Sequence, residues 1–386
     1  MLVDDISEIL PNNHQFRLLF IKAEPKQCNP IIKHHSQHSN FEKSIESIKL
    51  KYFFLLIDVK YEVIVFGLEV YKYFEISSER SLQYLFVSKI DTTGLLDTKL
   101  NVGNLVTKIL EFLIDSSLHE TTIKYRLKIK TSSTMKKINK LIDRPMSNYK
   151  TIALPPLTKF KLSLFTKSSN QYFFPESSKN KHKHLIDGDQ LLKWWIKTID
   201  PIEFTAKKLL IPGSLSGSQY LLPGWTRGSI FGKDEKCVYN IPNFPDDPKT
   251  RFLEFLIIEN RYKSNLSQFY EELGFRQEFR LGNVVGIIGC ESDWKPVNDK
   301  VGDDFQPIVL TNKQYKKLMK LIKYEDFSIM DDIKLLTNLK LPFFLKLYNK
   351  EINNTVINGK FIYKAKTAPT EIKVNNLTGL VKRRKK

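Results

Sequence analysis

The sequence predicts an α/β fold of the α+β kind, a sheet with helices packed around it, on three observations. First, β-branched and aromatic residues dominate YFFLLIDVKYEVIVFGLEVYKYFEI, Tyr52 to Ile76, which is the composition of two or three antiparallel strands of one sheet. Second, the further strand SLQYLFVSKI ends at Asp91 and passes through the loop DTTGLLDTK into NVGNLVTKILEFLIDSSL, where Val102, Leu105, Val106, Ile109, Leu110 and Leu113 fall on one helical face. Third, the same order returns from the strand-like FKLSLFTKSSNQYFF through PESSKNKHKH to the helix DGDQLLKWWIKTI, with Asp187 as its cap and Leu191, Leu192, Trp195 and Ile199 on one side.

The remaining segments follow from their local chemistry. Lys130 to Lys150 has no sustained periodicity and many Ser and Lys residues, so it is expected to be a flexible surface insertion. Pro212 to Gly232, rich in Gly, Ser and Pro, is expected to run over the surface. In YNIPNFPDDPKTRFLEFL, Tyr239 to Leu256, Asp246 and Asp247 precede a proline at the first helical position, and Phe252, Leu253 and Leu256 follow at helical spacing. Helix capping accounts for that pair of aspartates, and a chemical role for them needs support from elsewhere in the chain. The C-terminal third is expected to be mostly helical. One domain over residues 1–363 and a basic tail over 364–386 complete the expected organisation.

With 386 residues, 41% of them hydrophobic, the chain can bury a large core. Cys28, Cys237 and Cys290 are far apart and form no CxxC pair, which argues against a disulfide framework or a zinc ribbon and for a reducing compartment. The acidic start MLVDDISEIL lacks the basic-then-apolar layout of a secretion signal, and no apolar run reaches the length of a bilayer crossing. A secreted or membrane-spanning protein is not expected. The net charge of +19, from 61 Lys+Arg against 42 Asp+Glu, gathers anions of some kind. The run Lys382, Arg383, Arg384, Lys385 and Lys386 fits a nuclear import signal, a nucleic-acid patch or a solvated tail.

Several familiar sites fail on spacing. GSIFGKD, from Gly228, is one residue short of a phosphate-binding P-loop and has Asp234 where Ser or Thr would hold magnesium. His34, His35 and His38 lie in a polar tract without a carboxylate or thiolate pair, which disfavours a metal site. There is no Gly-x-Ser-x-Gly elbow, no HExxH helix and no pyrophosphate signature of the GNAT acetyltransferases. Two loops are better suited to anions. DTTGLLDTKLNVG and SSKNKHKHL each lead into the amino end of a helix, where free N–H groups and the helix dipole favour phosphate. Together with the paired Trp194 and Trp195 they suggest a pocket for a long, multiply charged cofactor with an apolar end.

The order of these segments carries a resemblance. FVSKIDTTG, QYFFPESSKNKHKHLIDGDQLLKWW and YNIPNFPDDPKTRF resemble the matching parts of the fungal Rtt-type (regulator of Ty transposition) histone H3 lysine acetyltransferases, densely from about Leu85 to Gly103 and from Phe165 to Arg280. That family is distantly similar in fold to the CREB-binding-protein acetyltransferases. The resemblance therefore implies a central mixed β-sheet surrounded by helices, with a long loop over an acetyl-CoA site.

The resemblance also implies a site. Acetyl-CoA, the co-substrate, would contact Ile90, Asp91 and Thr92, then Lys99, Leu100, Asn101, Val102 and Gly103 at the helix start. Phe165, Ser169, His184, Leu185, Ile186 and Trp194 would complete its pocket. The catalytic neighbourhood maps to Asp91, Tyr172, Trp195, Asp246 and Asp247, with Asp247 in the place of a proposed general base and Lys249 in that of an autoacetylated lysine. No metal is implied. Lys167 stands where the family has an arginine, so a point charge replaces a bidentate fork.

These residue types suit the reaction. Deprotonating a lysine of pKa near 10.4 at neutral pH costs roughly 4 to 5 kcal/mol, which a positioned carboxylate can supply while aromatic groups orient the amine. No cysteine lies in a matching motif, so direct transfer in a ternary complex is expected. The implied acceptor is a lysine of histone H3 in the short helix before the histone core, near where DNA enters the nucleosome, with tail lysines second. The implied partners are H3–H4 and two histone chaperones, of the nucleosome-assembly-protein and anti-silencing classes, in the nucleus, in chromatin assembly and genome stability. An acidic carrier would reconcile a basic enzyme with a basic histone, and direct DNA binding stays open. The rivals are a basic chromatin or nucleic-acid-binding protein without catalysis and another acyltransferase on the same fold.

Overall fold

The computed structural model describes residues 2–32, 45–118, 120–128, 148–213, 217–232, 236–261, 263–276, 284–293, 305–352 and 355–362. His34, His35 and His38, positions 130–147 of the expected insertion, Asp234 and the tail 364–386 lie outside the described residues.

The chain opens with α1 (Leu2–Ser7), β1 (Gln15–Ala23) and β2 (Lys26–Gln27), then the long strands β3 (Glu46–Asp58), β4 (Val63–Ile76) and β5 (Ser81–Thr92). After α2 (Val102–Leu118) come β6 (Thr122–Arg126), β7 (Tyr149–Ala153), β8 (Leu157–Thr166) and α3 (Gly188–Ile199). Then follow β9 (Ala206–Leu210), β10 (Trp225–Arg227), α4 (Pro248–Ile258), α5 (Leu266–Gly274), β11 (Gly286–Asp293) and β12 (Ile308–Leu310). The chain ends in α6 (Asn312–Lys323), α7 (Met330–Leu335), α8 (Leu341–Lys346) and β13 (Val356–Asn358).

The strands form one mixed sheet in the order β10-β9-β11-β8-β5-β4-β3-β2-β6-β7, with β1 alongside β3 and bordered by β12 and β13. β3 and β4 pair antiparallel, as the aromatic and β-branched composition of Tyr52 to Ile76 predicts; β5 pairs antiparallel to β4 and parallel to β8. All residues of β4 are buried because the sheet is covered on both faces. Leu68, Val70 and Phe74 enter the main core, while Tyr71 and Tyr73 face a smaller cluster with Tyr84, Phe86, Phe231 and Phe244. On α2, Leu105, Val106, Ile109, Leu110 and Leu113 are buried as expected.

The structure departs from the sequence reading in four places. The strand from Phe160 stops at Thr166, and Gln171–Phe174 is a loop, because the backbone N–H groups of Tyr172, Phe173 and Phe174 bond the Asp91 carboxylate and not a neighbouring strand. The Pro212–Gly232 excursion is more than surface chain, since β10 extends the sheet and Trp225, Ile230 and Phe231 are buried. The C-terminal third contributes β11, β12 and β13 besides its helices, and β11 sits inside the sheet between β8 and β9. Tyr149 and Lys150, assigned to the insertion, belong to β7.

Candidate active site

Asp91 closes β5 and is the organising group of the site. Its Oδ2 accepts from the backbone N–H groups of Tyr172 (2.7 Å), Phe173 (2.9 Å) and Phe174 (3.3 Å). Its Oδ1 accepts from Thr92 N at 2.9 Å and pairs with the Lys183 ammonium, which also donates to Thr92 O and to Ser177 Oγ. Carboxylate and ammonium side chains are each 4% exposed. The carboxylate thus fixes the Tyr172–Phe174 loop against the strand end. Gly67, directly across from Asp91 on β4, makes room for this loop, since a Cβ there would come within 2.9 Å of Phe174. Gly94, at φ +71°, does the same for the Lys183 backbone.

Two cavities flank Asp91, one lined by the residue before it and the other by the residue after it. A chamber of about 210 Å³ is lined by Ile90, Phe165, Tyr172, Trp195, Asp246 and Asp247, with Lys89, Lys167 and Arg251 around it. A cleft of about 750 Å³ is lined by Thr92, Lys99 to Gly103, His184 and Trp194, with Lys181 and His182 adding charge. The tandem tryptophans therefore serve one cavity each, their rings 4.8 Å apart and edge to face at 71°. The capping box between Asp187 and Gln190 fixes the start of α3, which turns Trp195 inward to 4% exposure.

The turn before α4 supplies the carboxylates. Phe244 stacks on Phe86 of β5, centroids 4.4 Å apart, which sets the turn against the sheet. Asp247 is the N-cap: its Oδ1 accepts from Lys249 N at 2.9 Å, and Pro248 occupies the first helical position. Its Oδ2 pairs with the Lys249 ammonium, and both residues are 1% exposed. The Lys249 ammonium lies 5.7 Å from the centre of the Phe165 ring. Asp246 has φ 58°, so its side chain turns the other way, to Lys89 Nζ at 3.0 Å. The Lys89 hydrogen bond holds the Asp246 carboxyl below its usual range. Burial, then the charge of Asp91, pushes the Tyr172 phenol up, and its hydroxyl donates to the Lys167 carbonyl.

Of the sequence-derived site residues, Tyr172, Trp195, Asp246, Asp247, Ile90 and Phe165 line the chamber. Thr92, Lys99, Leu100, Asn101, Val102, Gly103, His184 and Trp194 line the cleft. Asp91 lies between the two, buried and fully engaged. Ser169 is exposed and bonds Gln171 O, Leu185 is 49% exposed, and Ile186 packs on the core, so these three line neither cavity. Sequence reasoning missed Lys183 and Lys89, because nothing local tells which lysine of a lysine-rich loop turns inward.

The chemistry available is proton transfer and amine orientation beside an anion-binding cleft. Asn101 accepts from Asn104 N at 3.2 Å at the start of α2, whose amino end faces the cleft, as a pyrophosphate site requires. No thiol lines the chamber, and burial pushes Cys28 up to about 11 and Cys290 up to about 12. Among the described residues no group of three or more His, Cys, Asp or Glu side chains could hold a metal, and no helix is long and apolar enough to cross a membrane.

A buried carboxylate in an aromatic chamber, beside a cationic cleft at a helix start, suits an acyltransferase that uses a long anionic donor. The histone acetyltransferase KAT11-type domain matches residues 2–342, and the chain belongs to that family of histone lysine acetyltransferases. The histone acetyltransferase RTT109 of Candida albicans is 33% identical over 355 residues, covering 85% of this chain and 96% of that protein. The histone acetyltransferase rtt109 of Aspergillus flavus is 26% identical over 358 residues, covering 74% of this chain and 55% of that protein. The crystal structure of Rtt109 from Aspergillus fumigatus superimposes with a TM-score of 0.66 at 21% identity, covering 93% of this chain and 99% of that one. The expected fold and enzyme class hold, and a non-catalytic basic protein is set aside. Acetyl-CoA is the co-substrate that the family implies.

Proposed function

We propose that this enzyme transfers the acetyl group of acetyl-CoA directly to lysines of histone H3. Its first acceptor is the lysine in the short helix before the histone core, and H3 tail lysines come second. The observation that supports the reading is Asp91, whose chain neighbours Ile90 and Thr92 line a carboxylate-bearing aromatic chamber and a cationic cleft respectively. Lys99 and the backbone of Leu100 to Gly103 would hold the pyrophosphate, and Trp194 the pantetheine arm. The acetyl end would reach the chamber past Ile90 and Phe165. There Tyr172 and Trp195 orient the acceptor amine, and Asp247, or a water it holds, takes the proton.

Lys249 regulates that proton acceptor. While it is an ammonium it occupies Asp247 Oδ2; acetylation leaves an amide, removes the charge and frees the oxygen. The enzyme is taken to modify this lysine itself. The acceptor arrives as H3–H4 on an acidic histone chaperone of the nucleosome-assembly-protein or anti-silencing class, which reconciles two basic proteins. Such a reaction belongs to chromatin in the nucleus. Incubating the chain with acetyl-CoA, H3–H4 and each chaperone, then locating acetyl groups by mass spectrometry, tests the reading. No acetyl group on H3 with either chaperone would end it.

A further inference from the structure

A third cavity, of about 710 Å³, opens on the far side of Pro245, between strands β2, β3 and β6 of the sheet and the turn before α4. Lys26, Lys49, Arg126 and Lys128 line it, opposite Asn243, Phe244 and Glu254. Lys26 and Lys49 face each other directly in the antiparallel pairing of β2 with β3. Like charges in that position repel. Among the described residues neither lysine has an ion-pair partner. The nearby Glu24 is spent on the Tyr149 hydroxyl (2.6 Å), Arg126 (3.2 Å) and Asn312 N (3.4 Å). Burial, then the charges of Lys49 and Lys316, hold the Lys26 ammonium below the ordinary lysine range. The same lysines lower the neighbouring Lys51, after its own burial and against the opposing pull of Glu69. The fold thus gathers the ammonium groups of Lys26, Lys49 and Lys128 beside the Arg126 guanidinium, of which only Arg126 is ion-paired among the described residues, and an incoming anion would relieve their repulsion.

We propose that this cavity is an exosite that seats an acidic peptide segment brought in with the acceptor protein, its carboxylates between Lys26, Lys49 and Lys128. A peptide suits the lining better than a nucleic acid. Pro245 offers apolar contact above the buried Ile31 and Phe244, and Asn243 and Asn312 offer amides for a backbone. Glu24 and Glu254 in the wall oppose an unbroken run of phosphates. Pro245 lines both this cavity and the chamber, so a seated segment ends beside the place of the acceptor lysine. The site gives the acetyltransferase a handle on its substrate assembly, but binding here does not depend on H3 being the acceptor.

Fluorescence anisotropy of a labelled Asp/Glu-rich peptide carrying one Phe, titrated with the full chain at low salt, tests the proposal. The wild type is expected to bind it, while a Ser-for-acid peptide does not. The Lys26→Met/Lys49→Met double variant keeps the buried stems, melts no lower than the wild type, and is expected to weaken binding by about tenfold or more. Lys128→Glu, at the exposed rim, is expected to weaken it in a fold that is not perturbed. Equal affinity in both variants overturns the site. Displacement of the peptide by single-stranded DNA of equal charge, at lower concentration than by unlabelled peptide, overturns the peptide assignment. Histone acetylation by either variant in the absence of acidic peptide separates this result from failure of the enzyme itself.

Discussion

The Lys249 ammonium is paired with Asp247 Oδ2 in a space where the two side chains are 1% and 0% exposed, so the carboxylate proposed as the proton acceptor is already engaged by a lysine of its own helix. The pair also puts a positive charge in the first turn of α4, where the helix dipole opposes it. Neutralising Lys249 is therefore expected to favour turnover. Lys249→Gln, an amide without charge, is predicted to equal or exceed the unmodified enzyme, and Lys249→Arg to be slower by about tenfold or more. Initial rates alongside intact-mass spectra check this; a fast Arg variant with Lys249 unmodified in the wild type would contradict it.

Trp195 is 4% exposed and meets Trp194 edge to face, yet among the described residues its indole N–H has no acceptor. An unspent donor lining the chamber is available to the reacting groups. Trp195→Phe keeps most of the apolar burial and is predicted to lower turnover about tenfold while changing acetyl-CoA affinity less than about twofold. Trp194→Ala is predicted to do the reverse. Calorimetric titration and steady-state rates on the two variants distinguish them, and unchanged turnover in Trp195→Phe would return that residue to the core.

Asp91 accepts from five donors, so the structure gives it a positioning part. Asp91→Asn turns one acceptor oxygen into a donor against N–H groups or the Lys183 ammonium. A stability loss of about 3 kcal/mol is expected from these charge-assisted bonds. Loosening of the Tyr172–Phe174 loop is expected to raise the KM for acetyl-CoA as well as to lower turnover. Thermal melting and limited proteolysis at this loop check it. Full stability in the variant would show that the latch is not needed.

The Lys89–Asp246 pair is different, because the Asp246 side chain is 69% exposed. Its folded carboxyl lies below the usual range through the Lys89 hydrogen bond, so any stability it gives is present above the ordinary carboxylate pKa and is lost as pH falls through the lower folded value. Solvent screening keeps it small. Lys89→Met is predicted to change stability at pH 7 by less than about 1 kcal/mol, with the difference from wild type vanishing once the pH has fallen below the lowered folded value. Melting curves from pH 7 down to that range test both halves.

Much of the fold was legible because local chemistry and tertiary structure agree. β4 reads as a strand from its composition and is one, and Asp187 and Asp247 cap the helices that their positions predict. Gln171–Phe174 misled because its aromatic residues favour a strand, while its N–H groups go to a carboxylate some eighty residues earlier, which no local window reveals. β11 was missed for a related reason: its pairing with β8 and β9 is wholly non-local. At the site, the motifs found the loops, but which side chains turn inward is set by packing. Lys183 is buried against Asp91, whereas Leu185, two residues on, is exposed.

The central claim is that Asp247 takes the proton of the acceptor lysine. Asparagine at this position still caps α4, but its loss of charge would strand the buried Lys249 ammonium, at a cost of about 3 kcal/mol or more. The comparison is therefore made in the Lys249→Gln background. The measurement is the initial rate of acetyl transfer to H3–H4, with and without Asp247→Asn, together with the Kd for acetyl-CoA. The expected rate is lower by about a hundredfold or more, with Kd changed less than about threefold. An unchanged rate at unchanged Kd would contradict it and leave Asp247 as a helix cap alone.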